Sequence, residues 1–172
     1  MEKNLNATIP SVLNRSWDDF MLMSAKKRFS KMLFDENDEI ARVAVEKLKH
    51  YFAVDDFKDS RTRYTVDREG WRGEKHLMNV EVEIKHNWKQ GLQAFPYDTI
   101  HLPKRKEKYL SMPQPTYFVI FSSDMGGAIV FSDRTVERYA EMKEVPNKFV
   151  PQGEMFFNIP VDKTAWLKLG DD

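Results

Sequence analysis

The chain contains no cysteine, which removes disulfides, thiolate zinc sites, iron–sulfur clusters and cysteine nucleophiles together. Its four histidines, His50, His76, His86 and His101, show no HExxH-like spacing, so a dedicated zinc site is not expected. Long apolar runs are missing too. A membrane-spanning helix needs about 20 apolar residues, and the longest stretches here are short, such as Tyr117-Phe118-Val119-Ile120-Phe121. The opening residues Met1-Glu2-Lys3-Asn4 carry no apolar signal region. The expectation is a cytoplasmic protein with no membrane partner. Nor is there an excess of charge of either sign: 27 basic and 27 acidic residues leave a net charge of zero. That balance argues against a whole-surface nucleic-acid binder but leaves room for a local basic groove. Internal repeats and low-complexity tracts are absent.

What is present suits one α/β domain with a short appendage. The 172 residues are 41% hydrophobic, enough for a core, and 31% charged. Without thiolates, any metal must be held by carboxylates, carbonyls, histidines or water, which favours Mg²⁺ or Mn²⁺. Basic residues cluster at Lys26-Lys27-Arg28 with Lys31, at Arg61 with Arg63, and at Lys104-Arg105-Lys106 with Lys108. Taken singly, each cluster reads as a solvated face.

Residues 1–36 read as an irregular arm followed by a helix from Ser16 to about Leu33, and residues 37–172 as a single α/β domain. Asn37 or Asp38 opens a second helix, with Ile40, Val43, Ala44, Leu48 and Tyr51 at helical spacing. The pattern then changes to period two. Arg61 to Val66 reads as a strand, and Gly70 and Gly73 mark a turn. Next, Met78, Val80, Val82 and Ile84 alternate with Asn79, Glu81, Glu83 and Lys85, so one face is apolar and the other polar. Residues 89–103 read as a loop, and a short basic helix follows Pro103. Thr116–Phe121 and Ala128–Phe131 form a hairpin around Asp124-Met125-Gly126-Gly127. Asp133 caps a third helix to about Met142, Glu154–Ile159 is a last strand, and Asp162–Leu169 a terminal helical turn.

On the polar face of the long strand, Glu83 and Lys85 point to one side, roughly 6–7 Å apart along the chain. A carboxylate there can hold a divalent ion that polarises a phosphate oxygen and acidifies a bound water. The neighbouring ammonium can steady the attacking water or the phosphate. The combination suits phosphodiester hydrolysis. The bland account is that Glu-x-Lys on an exposed strand face makes only cross-strand ion pairs.

The segment Val80-Glu81-Val82-Glu83-Ile84-Lys85 resembles the hallmark segment of the PD-(D/E)XK, or restriction-endonuclease-like, nuclease superfamily. The resemblance spans about residues 37–131, and outside Glu-x-Lys it lies in the order of elements. It implies an α-β-β-β-α-β core, here with an N-terminal helix and a C-terminal strand and helix extension. It also implies a metal-dependent endonuclease that hydrolyses phosphodiester bonds in DNA with Mg²⁺ or Mn²⁺. Glu83, Lys85 and an acid from the preceding strand would be catalytic, and that acid, Glu83 and Ile84 would bind metal. The Pro-Asp pair that names the motif is not found in this chain.

The preceding acid follows from the register. If the turn centres near Trp71, paired residues sum to about 142. Asp59 then faces Glu83 and Arg61 faces Glu81. Asp67 faces Lys75, on the order of 25 Å from Glu83. Asp59 is therefore expected to be the ligand. Asp56 replaces it if the register slips by two, and Asp67 does so only if the strands do not form a simple hairpin, although its sequence distance from Glu83 is typical of the family. Glu46, with Glu39 on the same helix face, and Glu81 are candidates for a further acid, and the two helix residues read equally as a solvated face. In a nuclease the dense segment from Phe95 to Lys106 is expected to contact phosphates, with His101, Lys104, Arg105, Lys106 and Lys108, and Arg61 beside the strand; the equal alternative is an exposed loop and the start of a basic helix. Trp71 and Trp88 read as core or rim aromatics. Two rivals stand beside the DNA endonuclease: a non-catalytic nucleic-acid- or protein-binding module on the same fold, and a nuclease acting on RNA or single strands. Dimerisation, or a higher homo-oligomer, would bring two sites to a duplex.

Overall fold

In the computed structural model, residues 38–60, 65–89, 91, 95–146 and 151–169 are described, and those from Glu39 onward form one compact unit. The expected helix from Ser16 to Leu33, the first basic cluster, and Arg61 with Arg63 lie outside the described residues.

Helix α1 covers 38–46 and, after a turn at 47–48, continues into α2 (Lys49–Phe52). Ala53 ends it by adopting a left-handed conformation, φ 50°, with its N–H bonded to the His50 carbonyl. Ala44, Val45 and Leu48 are the buried stripe, whereas Ile40, Val43 and Tyr51 are exposed. The inward face is thus rotated from the expected one, because the break at 47–48 interrupts the helical period that would have joined Val43 to Tyr51.

A six-stranded sheet carries the domain. Its members are β1 (Asp56–Asp59), β2 (Arg68–Arg72), β3 (Lys75–Lys85), β5 (Thr116–Ser122), β6 (Gly127–Ser132) and β9 (Ala165–Lys168), ordered β1-β2-β3-β5-β6-β9. All neighbours are antiparallel except β3 and β5, which run parallel. A second, antiparallel sheet places β8 (Glu154–Pro160) between β4 (Thr99–Pro103) and β7 (Glu141–Val145).

Period-two alternation divides the side chains of the large sheet between two cores. Val80, Val119, Phe121, Ala128 and Val130 pack with Ala44, Val45 and Leu48 on the helix side. Phe118, Ile120, Ile129 and Phe131 pack with Ile100, Leu102 and Ile159 of the small sheet. The result is a mixed α/β architecture, rich in strands, in which the large sheet is sandwiched between helices and a second sheet.

Several expectations change. Residues 61–64 lie outside the described residues, but Thr65 and Val66 are not in a strand. The strand that precedes β3 is Arg68–Arg72, and Gly70 lies inside it rather than in a turn. Gly70 faces Met78, and a Cβ there would come within 2.8 Å of the Met78 side chain, so the close approach calls for glycine. The turn itself is at Gly73, with φ +56°. Part of the expected 89–103 loop is β4, whose Ile100 and Leu102 bury while His101 faces outward. The third helix, α3 (Asp133–Tyr139), is capped by Ser132 rather than Asp133 and gives way to β7. The C-terminal segment is only briefly helical, at Val161–Lys163, before pairing with β6 as β9. Between β3 and β5, where the resemblance implies a helix, the chain forms β4 and a 3₁₀ helix at Lys104–Tyr109.

Candidate active site

Because Val80 points toward the helices, Glu81, Glu83 and Lys85 point toward the small sheet. Parallel pairing sets Glu81 beside Phe118 and Glu83 beside Ile120, residues whose side chains form the floor of the inter-sheet core. Polar groups of β3 are therefore carried along the margin of an apolar layer, where burial amplifies their interactions.

Asp67 joins them. In the β2–β3 ladder Arg68 pairs with Val80, so the next step of the register brings Asp67 to Glu81. Its main-chain N–H donates to Glu81 Oε1 at 3.2 Å, and its Oδ2 accepts the Val82 N–H at 2.8 Å. Strand β2 stops at Arg68, and the aspartate side chain takes the place of the carbonyl that would otherwise satisfy the Val82 donor.

Lys106 reaches the same place from the 3₁₀ helix that follows β4. Its ammonium lies 2.8 Å from Glu81 Oε2, and Glu81 is only 5% exposed. Burial pushes the Glu81 carboxyl up, Lys106 draws it back, Asp67 adds to the rise, and the net pKa is raised. For Lys106, burial works to lower the pKa, but attraction to Glu81, Asp67 and Glu83 prevails and it is raised. One ammonium thus sits among three carboxylates, paired with Glu81 and attracted at longer range by Asp67 and Glu83. Burial and the charge of Glu81 also raise the Tyr109 phenol, whose hydroxyl donates to the Thr65 carbonyl at 3.2 Å.

Toward the end of β3, Lys85 Nζ lies 3.2 Å from Glu83 Oε1, in a pair that is partly open to solvent. His101 borders the same crevice as Glu81, Glu83 and Lys106. Burial, with the positive charges of Lys85 and Lys143, lowers its pKa and so favours the neutral ring.

The remaining expected residues are elsewhere. Asp59 does not face Glu83. It is on β1, paired with Arg68 of β2, so that β2 stands between it and β3. Its carboxylate contacts the Arg68 guanidinium and lies 3.5 Å from that of Arg42 on α1. Cross-strand partners share a face, and Arg68 pairs with Val80, so Asp59 belongs to the helix side of the sheet. The cause is the register: β2 and β3 pair at sums near 148, as in Gly70 with Met78, because the turn lies at Gly73 rather than Trp71. Asp67 is accordingly at Glu81, not at Lys75. Asp56 contacts Lys49 at 3.5 Å, and Glu46 pairs with the same lysine, so neither approaches Glu83. The Ile84 side chain packs into the helix-side core, leaving its carbonyl as the group available for coordination. Arg105 pairs with Glu154 at 3.0 Å, Lys108 lies over the Tyr109 ring, and Lys104 is exposed. Only Lys106 of this basic segment turns into the site.

The donor chemistry suits a hard divalent ion, with the carboxylates of Asp67, Glu81 and Glu83 and the Ile84 carbonyl all presenting oxygen. Three of them already act on a single cation, the ammonium of Lys106. As arranged, no three acidic or histidine side chains among the described residues stand close enough to enclose an ion. A bound ion would compete with Lys106 and Lys85 for the same oxygens.

No protein-family model matches the sequence, and no curated protein matches it. Among the described residues, no helix is long and apolar enough to cross a membrane. The register brings Asp67 rather than Asp59 beside Glu81, and Lys106, expected among the phosphate contacts, pairs with that same carboxylate. The glycine at position 73, suited to positive φ, was the signal that could have moved the turn.

Proposed function

We propose that this chain is a metal-dependent nuclease of the PD-(D/E)XK type acting on phosphodiester bonds of DNA, with Asp67 in place of Asp59 as the acid that accompanies Glu83 and Lys85. The observation that carries the reading is the Asp67 carboxylate bonded to the Val82 N–H, at the edge of β3 and beside the Glu81–Glu83–Lys85 face. The order of helices, β1, β2 and β3, with β5 parallel to β3, supports the resemblance, while β4 and a 3₁₀ helix stand where that core has its crossover helix. Mg²⁺, when bound, would supply charge stabilisation on the phosphate and acidify a water. Asp67 and Glu83 would hold it through carboxylate oxygens, with the Ile84 carbonyl as a further donor. Lys85 steadies the attacking oxygen and the charge that accumulates on the phosphate. Lys106 keeps the acidic group compact, then becomes available to a phosphate once its carboxylates are otherwise engaged.

The test is incubation with plasmid and linear DNA in Mg²⁺, Mn²⁺ or EDTA. Cutting should require the metal and disappear in Glu83→Gln and Lys85→Ala, whose side chains lie on a polar face. Variants that cut as well as the parent would overturn the assignment. A second reading, a binding module with structural carboxylates, draws on the existing Lys106 and Lys85 ion pairs. It is upheld by DNA binding that neither needs Mg²⁺ nor leads to cleavage.

A further inference from the structure

Beside Lys85 the surface opens into a cleft of about 560 Å³, walled by the end of β3, the 95–98 segment, the start of β4, and Ile120 of β5. That volume falls in the range of small-molecule sites, about 300–1,000 Å³. Its lining combines two chemistries. Lys85 and His101 present nitrogen groups suited to a phosphate, while Asn87, Tyr97 and Asp98 surround an aromatic wall.

Tyr97 is the distinctive member. It is 47% exposed, yet its position is defined from two directions. The Asn87 amide donates to its hydroxyl, and the Phe95 ring meets it edge-on at 5.8 Å and 76°. Phe95 in turn packs edge-on against the buried Trp88 at 5.3 Å and against Trp166 at 6.3 Å. An open aromatic face supported in this way is a platform that loses little entropy when a flat group stacks on it.

We infer that this cleft binds one unpaired nucleotide, its base against Tyr97 and its phosphate toward Lys85 and His101. This names the substrate class of the proposed nuclease and rests on that reading: nucleic acid with a single-stranded segment at the cut. Asp98 disfavours a phosphate on the aromatic side and, with Asn87, offers hydrogen-bonding groups to a base edge. A duplex keeps its bases stacked inside and can present one here only after extruding it, at a cost of a few kcal/mol. A strand that is already single does not bear that cost.

Binding in EDTA separates this inference from catalysis. Fluorescence anisotropy would compare a labelled oligothymidylate, a duplex of equal length and the same strand with abasic sites. The single strand should bind at least about tenfold tighter than the duplex. Tyr97→Ala and the abasic strand should each lose roughly tenfold, the order expected for one base–aromatic stack. Tyr97→Trp should retain binding, which a purely structural role through Asn87 would not allow. Equal affinity for duplex, unchanged binding by Tyr97→Ala, or no binding to either nucleic acid overturns the inference. Metal-dependent cutting of duplex without strand preference would leave the nuclease standing and remove this cleft from it. Tyr97-dependent binding of single strands without cutting would do the reverse.

Discussion

Lys106, on the 3₁₀ helix after β4, meets Glu81 of β3, Nζ to Oε2 at 2.8 Å, with the carboxylate 5% exposed. A buried pair of this kind is costly to break from one side, because the surviving charge keeps its desolvation penalty. Lys106→Met should lower stability by about 3 kcal/mol, measured by urea unfolding. Adding Glu81→Gln should recover much of the loss, since the double variant leaves no buried charge from the pair. Equal losses in single and double variants would show that Lys106 matters through packing instead.

Stability should depend on pH through the same pair. Glu81 has a folded-state pKa raised above its ordinary 4.5, so the native state holds its proton more tightly than the unfolded chain. The Glu81 contribution is therefore most favourable below 4.5 and declines as pH rises through the raised value. Lys106, raised above 10.5, contributes stability that is fully present below that pH and is lost as pH climbs past its folded value. Denaturation of the metal-free protein in EDTA should show the first decline in the parent, and Glu81→Gln should flatten it.

Asp67 and Asp59 should separate cleanly. Asp67→Asn removes a charged oxygen from the proposed ion site and should raise the Mg²⁺ concentration needed for cutting by tenfold or more, an order typical of altered metal sites. Asp59→Asn should leave the metal requirement unchanged. Its cost should be stability, about 1 kcal/mol, from weakening the contact with Arg68, which is 7% exposed. A metal titration of both variants beside thermal melts decides between them.

The tryptophans should differ as strongly. Trp88 is wholly buried among Phe95, Trp166 and the inter-sheet core. Trp88→Ala should cost about 3–5 kcal/mol. Trp71 stacks on His76 at 5.1 Å beneath the Lys58 ammonium, at the far end of the β2–β3 hairpin. Trp71→Ala should cost about 1 kcal/mol. Comparable losses in urea would contradict the placement of both.

How far these features could be read beforehand follows from the range of the forces involved. Period-two alternation in 78–85 was legible because it depends only on backbone geometry, and β3 lies where the pattern puts it. The β5–β6 hairpin was legible for the same reason, with Val119 paired to Val130 and Ile120 to Ile129. β4 was harder. Thr99 to Pro103 contains two inward apolar residues between prolines, and it becomes a strand by pairing with β8, more than 50 positions along the chain.

The sequence by itself determined that β3 has one apolar and one polar face, and that Glu83 and Lys85 share the latter, because alternation is a local property of an extended chain. Only the tertiary structure decided which acid accompanies them. Moving one turn from Trp71 to Gly73 shifts every cross-strand partner, leaving Asp59 among arginines on the helix side and bringing Asp67 to Glu81. The approach of Lys106 was likewise beyond local pattern, since it requires the 3₁₀ helix after β4 to fold against β3. Local sterics set the faces of a strand, whereas long-range pairing sets what those faces meet.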